Sequence, residues 1–159
     1  MRKLALSVLL SLVAAQTPPP RPAAPFRLEE TTIRQIHDAM RSGQLTCRAL
    51  VDDYLRRIQA YDKNGPALNA IVVVNPNADK EADELDVRFR QGGLTGPLHC
   101  IPTIVKDNFE TIGLQSAAGS LALEGFVSNK DAFLVKRMKD AGAAGQPHRR
   151  SDADQRVVR

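Results

Sequence analysis

A nearly continuous apolar run, Leu68 to Val74, limits the architectures open to this chain because it is rich in β-branched residues. The run is bounded by Asn64-Gly65-Pro66 and by Asn75-Pro76-Asn77, which are typical chain breakers. An uninterrupted apolar strand is typical of a sheet covered on both faces, and helices usually form the covering layers. The run therefore predicts a buried strand within an α/β fold.

Two helices are predicted before this strand. Thr32 and Gln35 form a capping-box pattern at the start of the first helix, and Gly43 ends it. The second helix begins near Thr46, and its apolar residues recur at helical spacing as one stripe. The stripe consists of Cys47, Leu50, Val51, Tyr54, Leu55 and Ile58. Both helices therefore have an apolar face that needs a packing partner.

Two more helices are predicted after the strand. The acidic segment 78–90 indicates an exposed helix that turns Leu85 and Phe89 inward. Asp131 is placed to cap a last helix whose apolar pattern starts at Phe133. Beyond Ala143 the sequence is polar and has no period, so no further strand or helix is expected.

Residues 1–15 have the pattern of a signal peptide. Met1-Arg2-Lys3 supplies a basic start, and Leu4 to Ala15 is an apolar stretch too short to span a bilayer. The small residues Val13 and Ala15 place the cleavage before Gln16. The pattern predicts a secreted or periplasmic protein with no membrane attachment after cleavage. An uncleaved apolar terminus is the alternative.

The rest of the chain divides into a proline-rich linker at 16–27, a body at 28–143 and a polar tail at 144–159. The net charge is +4, half of it in the signal segment and half in the arginine-rich tail, so the body is neutral. A neutral body in a chain that is only 4% aromatic argues against a nucleic-acid partner.

Two cysteines, Cys47 and Cys100, allow a disulfide in an exported chain. Their spacing does not establish one, and two separate, small buried residues are the favoured interpretation. The histidines His37, His99 and His148 have no metal-ligand spacing with either cysteine. The sequence therefore predicts no metal.

Lys106 is the residue with the clearest chemical potential. It directly follows the apolar run Ile101 to Val105 and directly precedes Asp107-Asn108. Burial at the end of an interior strand favours the uncharged amine of a lysine, which is a competent general base. A strand-end lysine paired with Asp107 fits the same local spacing.

The segment around Lys106 resembles the amidase signature family, whose strand has the form G-P-L-H-G-I-P-x-x-V-K-D-N. The matching residues are Gly96-Pro97-Leu98-His99, Ile101-Pro102, Val105-Lys106-Asp107-Asn108 and Ala118-Gly119-Ser120. Similarity also extends back to Leu45-Thr46 and forward to Ala141-Gly142-Ala143.

This resemblance implies that residues 28–143 form the amino-terminal part of an amidase domain. The implied fold is an α/β/α sandwich with a mixed sheet, preceded by helices. Lys106 would be the general base of a Ser-cisSer-Lys triad that uses no metal or organic cofactor. The substrate would be a small-molecule or peptide amide.

Two departures from the family pattern affect this interpretation. Cys100 stands where the pattern has glycine, so its side chain could crowd the backbone. After Ala143 the chain lacks the expected apolar strand and G-K-T-N-like segment, an abrupt break of the kind that a frameshift produces. A naturally short relative is the alternative.

The serines that follow Lys106 match neither catalytic serine of the family; they are Ser116, Ser120, Ser128 and Ser151. The sequence therefore predicts a truncated amidase that is inactive alone. The rival functions are a non-catalytic exported interaction module and an amidotransferase-like subunit.

Overall fold

The computed structural model describes residues 26–144 and 148–149. The predicted signal segment 1–15, most of the predicted linker and most of the predicted tail lie outside these residues.

Four α-helices occur in the described part of the chain: α1 Ile33–Arg41, α2 Cys47–Arg57, α3 Ala78–Gly92 and α4 Phe133–Asp140. A π-helical segment, Ile58–Lys63, extends α2, and Leu121–Leu123 forms a 3-10 turn. The strands are β1 Ile71–Val73, β2 Val105–Lys106 and β3 His148–Arg149. Among these described helices, none has the length and apolar character needed to cross a membrane.

Helix α1 begins at the predicted capping box. The Thr32 hydroxyl accepts from the Gln35 N–H at 3.3 Å, and Gln35 Oε1 accepts from the Thr32 N–H at 2.9 Å. These two bonds satisfy N–H groups that have no partner within the helix. The helix ends before Gly43, whose φ of +74° turns the chain. The predicted start and end of α1 are confirmed.

Helices α2 and α3 pack against each other, and together with α1 they form most of the described core. Within the predicted stripe, Cys47, Leu50 and Val51 are buried. The three later stripe residues are half-buried. On α3, Leu85 is buried and Phe89 packs against the core as predicted. Both amphipathic predictions are therefore confirmed.

Asp86 on α3 fixes the start of α2. Its two carboxylate oxygens accept from the backbone N–H groups of Cys47 at 2.7 Å and Arg48 at 3.0 Å. A carboxylate is favourable at a helix amino terminus because it faces unpaired N–H groups and the positive end of the helix dipole. This contact sets the position of Cys47 at the start of α2.

The three strands form one sheet in the order β1-β3-β2. β3 pairs antiparallel with β1, opposing Arg149 to Ile71, and pairs parallel with β2, opposing His148 to Val105. Helices and a sheet together make this an α/β structure, in agreement with the predicted class.

Strand β1 is shorter and less covered than predicted. Only Ile71 is buried, whereas Val72 and Val74 are 36% and 37% exposed. The described residues thus cover one face of this strand, and the prediction of burial on both faces is wrong. At its start, the Asp62 carboxylate accepts from the N–H of Ala70 at 2.6 Å, and Asn69 has a φ of +50°. This local geometry delays the strand beyond the first apolar residues of the run.

The expectation of no strand after Ala143 is also wrong, because His148–Arg149 forms β3 between β1 and β2. Strand pairing uses backbone N–H and C=O groups, which polar residues supply as well as apolar ones. The gap between β1 and β2 offers two unpaired edges, so pairing there is favourable without a hydrophobic pattern.

Asp131 does not cap α4 as predicted. The residue at the cap position is Ala132, and no side chain caps this end. The Asp131 carboxylate instead accepts from the Ile112 N–H at 2.9 Å and from Lys139 Nζ at 2.8 Å. A loop and a lysine in the last turn of α4 therefore compete successfully for the carboxylate.

Cys47 and Cys100 form a disulfide, with their Cα atoms 5.5 Å apart and a sequence separation of 53. Both residues have no exposed surface. The favoured expectation of two separate buried cysteines is therefore wrong. The two cysteines can pair because α2 and the loop after Gly96 meet in the core. Sequence spacing alone does not show that these two segments meet.

Candidate functional site

The segment that leads to Lys106 is hydrogen-bonded through its backbone to the chain after α4. The N–H groups of Leu98 and Cys100 donate to the carbonyl oxygens of Ala141 and Gly142 at 2.9 and 2.8 Å. Ala144 then donates to the Ile101 carbonyl at 3.1 Å. These bonds align the two segments in parallel, and the alignment continues into the β2–β3 pair.

Two glycines make this close approach possible. A Cβ on Gly96 would lie 2.5 Å from the Ala141 carbonyl oxygen. A Cβ on Gly142 would lie 2.9 Å from the His99 Cα, and Gly142 also has a φ of +93°. Both distances are shorter than a Cβ atom makes with a non-bonded neighbour, so neither position has room for a side chain. Both glycines belong to stretches that the sequence analysis matched to the amidase pattern, and their shared role is backbone packing.

His99 is fully buried beside this junction. Its Nδ1 lies 2.9 Å from the Thr95 hydroxyl and 3.3 Å from the Thr95 nitrogen, whereas its buried Nε2 has no hydrogen-bond partner among the described residues. The His37 Nε2 lies 3.0 Å from the His99 carbonyl oxygen, and the His99 ring packs against Phe89 at 5.6 Å between centroids. His99 therefore acts here as a core residue. Thr95, which orients it, was missed because no sequence pattern marks the contact.

Burial lowers the pKa of His99 from its ordinary value near 6.5, and the neighbouring His37 lowers it further. Asp86 opposes this shift and Arg88 adds to it. The folded state then binds this proton less readily than the unfolded state does. The stability that comes from a neutral His99 is thus present above about pH 6.5 and is lost as the pH falls below that value.

We expect urea unfolding to show this loss as the pH is lowered from about 7 to about 5. One proton contributes at most about 1.4 kcal/mol per pH unit to the free energy of unfolding. The matched variant His99→Gln, which has no titrating group at this position, should show a shallower dependence over the same range. Equal slopes in the two proteins would contradict this assignment.

Cys100 has a φ of +60°, in the left-handed region that favours glycine. Its side chain was expected to crowd the backbone, because the amidase pattern has glycine at this position. The side chain is accommodated because it points into the core and is bonded to Cys47. The cost of having cysteine instead of glycine at this position is therefore a disfavoured backbone conformation, and the side chain itself is not crowded.

Lys106 ends β2 and begins the next turn. Val105 before it is buried, and its own side chain is exposed. The Lys106 carbonyl oxygen accepts from the Phe109 N–H at 2.9 Å, which closes the turn. The burial expected for a lysine at the end of an interior strand is not found among the described residues, because the sheet around it consists of three short strands.

The serine-containing turn lies next to the Lys106 turn. The Ser116 hydroxyl donates to the Phe109 carbonyl oxygen at 3.4 Å, and the Ser116 N–H donates to the Phe126 carbonyl at 3.0 Å. Ser116 is 6% exposed, whereas Ser120 is exposed at the tip of the turn. The structure thus connects Ser116 with the Lys106 turn through the backbone of Phe109.

A separate cleft of about 490 Å³ lies between α3 and the end of α4. Its charged and polar lining includes Glu84, Arg88, Thr95, Thr111 and Lys139, and Lys106 is not part of it. No sequence pattern predicts this cleft, because its walls come from segments that are distant in the sequence. Within residues 26–144, no group of three or more His, Cys, Asp or Glu side chains is placed to hold a metal ion.

Comparison with known proteins links this site to one family. The family model described as Amidase matches residues 49–146. The solved peptide amidase from Stenotrophomonas maltophilia is 44% identical, with a TM-score of 0.71 over 76% of this chain and 24% of its own. An amidase family protein from Bacillus anthracis is 34% identical, with a TM-score of 0.69 over 75% of this chain and 24% of its own.

A further relative has a different activity in its name. A glutamyl-tRNA(Gln) amidotransferase subunit from Halorhodospira halophila is 37% identical over 117 residues, which are 73% of this chain and 23% of that protein. The chain thus spans about a fifth to a quarter of the length of the relatives that it matches.

Proposed function

This chain belongs to the amidase family, and from that premise we propose that it supplies the lysine-bearing part of an enzyme that hydrolyses carbon–nitrogen amide bonds. The observation that carries the proposal is the position of Lys106. It ends β2 within the segment that resembles the amidase signature, in a fold with a TM-score of 0.71 to a peptide amidase. In a complete domain, the sheet would extend into the α/β/α sandwich that the resemblance implies.

We assign Lys106 the role of general base. A lysine amine accepts a proton only when it is uncharged, and burial favours the uncharged form. Further polypeptide that covers the exposed Lys106 side chain would supply that burial. It would also supply the two serines, one that passes its proton to the lysine and one that attacks the amide carbonyl. Backbone N–H groups would stabilise the resulting oxyanion.

By itself, this polypeptide is proposed to be inactive. Lys106 is exposed, Ser120 lies at an exposed turn, and the Ser116 hydroxyl already donates to the Phe109 carbonyl. A nucleophile needs a base within hydrogen-bond reach and an oxyanion site beside it. Among the described residues, neither serine hydroxyl is hydrogen-bonded to the Lys106 amine.

The proposed substrate is a small-molecule or peptide amide, since a peptide amidase is among the similar solved structures. An amidotransferase-like subunit is the second candidate, and the similarity to a glutamyl-tRNA amidotransferase subunit favours it.

Two features favour the exported amidase over the amidotransferase. One is the amino-terminal signal pattern. The other is the Cys47–Cys100 disulfide, because disulfides persist in oxidising compartments. Sequencing the amino terminus of protein recovered outside the cytoplasm tests this, with a start at Gln16 expected. Recovery of the full-length chain in the cytoplasm would contradict export.

A chimaeric enzyme tests the activity. Residues 26–144 would replace the corresponding quarter of the Stenotrophomonas maltophilia peptide amidase, whose 44% identity makes the exchange feasible. We expect the chimaera to hydrolyse a peptide amide, and the full chain assayed alone to show no turnover. A chimaera that unfolds like the parent enzyme but has no turnover would contradict the proposal, as would amide hydrolysis by the chain alone.

A further inference from the structure

The disulfide joins the start of α2 to the loop that leads into the Lys106 strand. Cys47 is held from one side by its N–H bond to Asp86 at 2.7 Å. Cys100 is held from the other by its N–H bond to the Gly142 carbonyl at 2.8 Å. The disulfide therefore connects two backbone positions that are each already fixed to a different part of the fold.

The disulfide stabilises the loop conformation at Cys100. A residue with a Cβ is disfavoured at a φ of +60°, so loss of the disulfide favours relaxation of this loop toward an ordinary backbone conformation. Relaxation at this point changes the direction of the chain that follows. The disulfide opposes this change because it holds the Cys100 side chain in the core.

Lys106 follows Cys100 closely in the sequence, and the backbone bonds that hold the chain between them go mainly to one neighbouring segment, the chain after α4. Ala144 donates to the Ile101 carbonyl at 3.1 Å, Thr103 donates to the Ala144 carbonyl at a longer 3.4 Å, and the two residues of β2 pair with β3. Pro102 stiffens the connection because its φ is fixed. A displacement at Cys100 would therefore be transmitted to Lys106 and would not be absorbed on the way.

We propose that the Cys47–Cys100 disulfide is a positioning element that sets the place of Lys106. This proposal rests on the proposed role of Lys106 as the base, but the ordering of the strand can be measured independently of that role. Reduction by a dithiol would break the S–S bond and add two electrons and two protons to give two thiols, while the dithiol becomes a disulfide. Because both cysteines are fully buried, a reductant reaches them only when the loop opens.

Amide hydrogen exchange on the full chain tests the proposal. The proteins compared are the oxidised chain, the dithiol-reduced chain, Cys47→Ala/Cys100→Ala and Cys47→Ala/Cys100→Gly. The segment of interest is 103–109, and α4 residues 135–139 serve as the internal control. We expect exchange at 103–109 to become on the order of tenfold faster without the disulfide, with a much smaller change in α4. The glycine variant should recover part of the protection, because glycine adopts the backbone conformation of position 100 freely.

Two results would overturn the proposal. Unchanged exchange at 103–109 would show that other contacts hold the strand, and an equal increase in both segments would show that the disulfide contributes only global stability. If the double alanine variant fails to fold, the reduced chain and the glycine variant still give the comparison. In an active chimaera, loss of the disulfide should lower kcat and leave KM nearly unchanged. A chimaera without turnover would refute the proposed function while leaving the exchange result intact.

Discussion

Lys106→Ala is expected to lower kcat of the chimaeric amidase by about a hundredfold to ten-thousandfold, the usual contribution of a positioned general acid or base. The alanine side chain has no proton acceptor, so the serine relay would lose its base. In the chain alone the Lys106 side chain is exposed, so its removal should leave the fold of residues 26–144 intact. Steady-state kinetics on a peptide amide, with thermal unfolding as a check on folding, measures the effect.

Two further variants separate a base from a fixed positive charge. Lys106→Arg keeps the charge, but a guanidinium does not give up its proton in proteins, so this variant should be as impaired as alanine. Lys130→Ala removes a 69% exposed lysine that pairs with Glu110 on the loop after β2, and it should change kcat less than about twofold. Retained activity in Lys106→Arg would mean that the residue acts through its charge, and the general-base assignment would be wrong.

The elements predicted well from the sequence are those whose signals are local. The capping box at Thr32 and Gln35 is complete within one helical turn, and the α2 stripe lies within one short window of sequence. Helical hydrogen bonds and side-chain rows connect residues three and four apart, so the pattern contains most of the necessary information. The position of Lys106 at the end of a strand was predicted for a related reason, because it directly follows an apolar run.

The features predicted poorly depend on partners that are distant in the sequence. The extent of β1 depends on which strands and helices cover it, and β3 forms from polar residues because two edges are available to it. Asp131 binds Ile112 and Lys139 instead of the helix end, and Cys47 meets Cys100 across a sequence separation of 53. A short window of sequence does not predict any of these contacts, because each depends on the tertiary packing of segments that are distant in the sequence.

Gly142→Ala should destabilise the fold by about 3 kcal/mol or more. Two separate effects add at this position. The φ of +93° disfavours any Cβ, and the new methyl would lie 2.9 Å from both the His99 Cα and the Thr95 hydroxyl. Because the Gly142 carbonyl also accepts the Cys100 N–H, a shift of this backbone would displace the segment that leads to Lys106.

Two other glycines allow the two effects to be measured separately by urea unfolding at neutral pH. Gly92 lies at the end of α3, and a Cβ at this position would have no atom within 4 Å. Gly92→Ala should therefore be neutral or stabilising by up to about 1 kcal/mol. Gly43 has equally open space but a φ of +74°, so Gly43→Ala should cost about 1 kcal/mol from conformation alone. The excess loss in Gly142→Ala over Gly43→Ala then measures the close approach to His99. Equal losses of stability in these two variants would mean that the backbone around Gly142 and His99 shifts to accommodate a methyl group. The close contact there would then not fix the segment before Lys106.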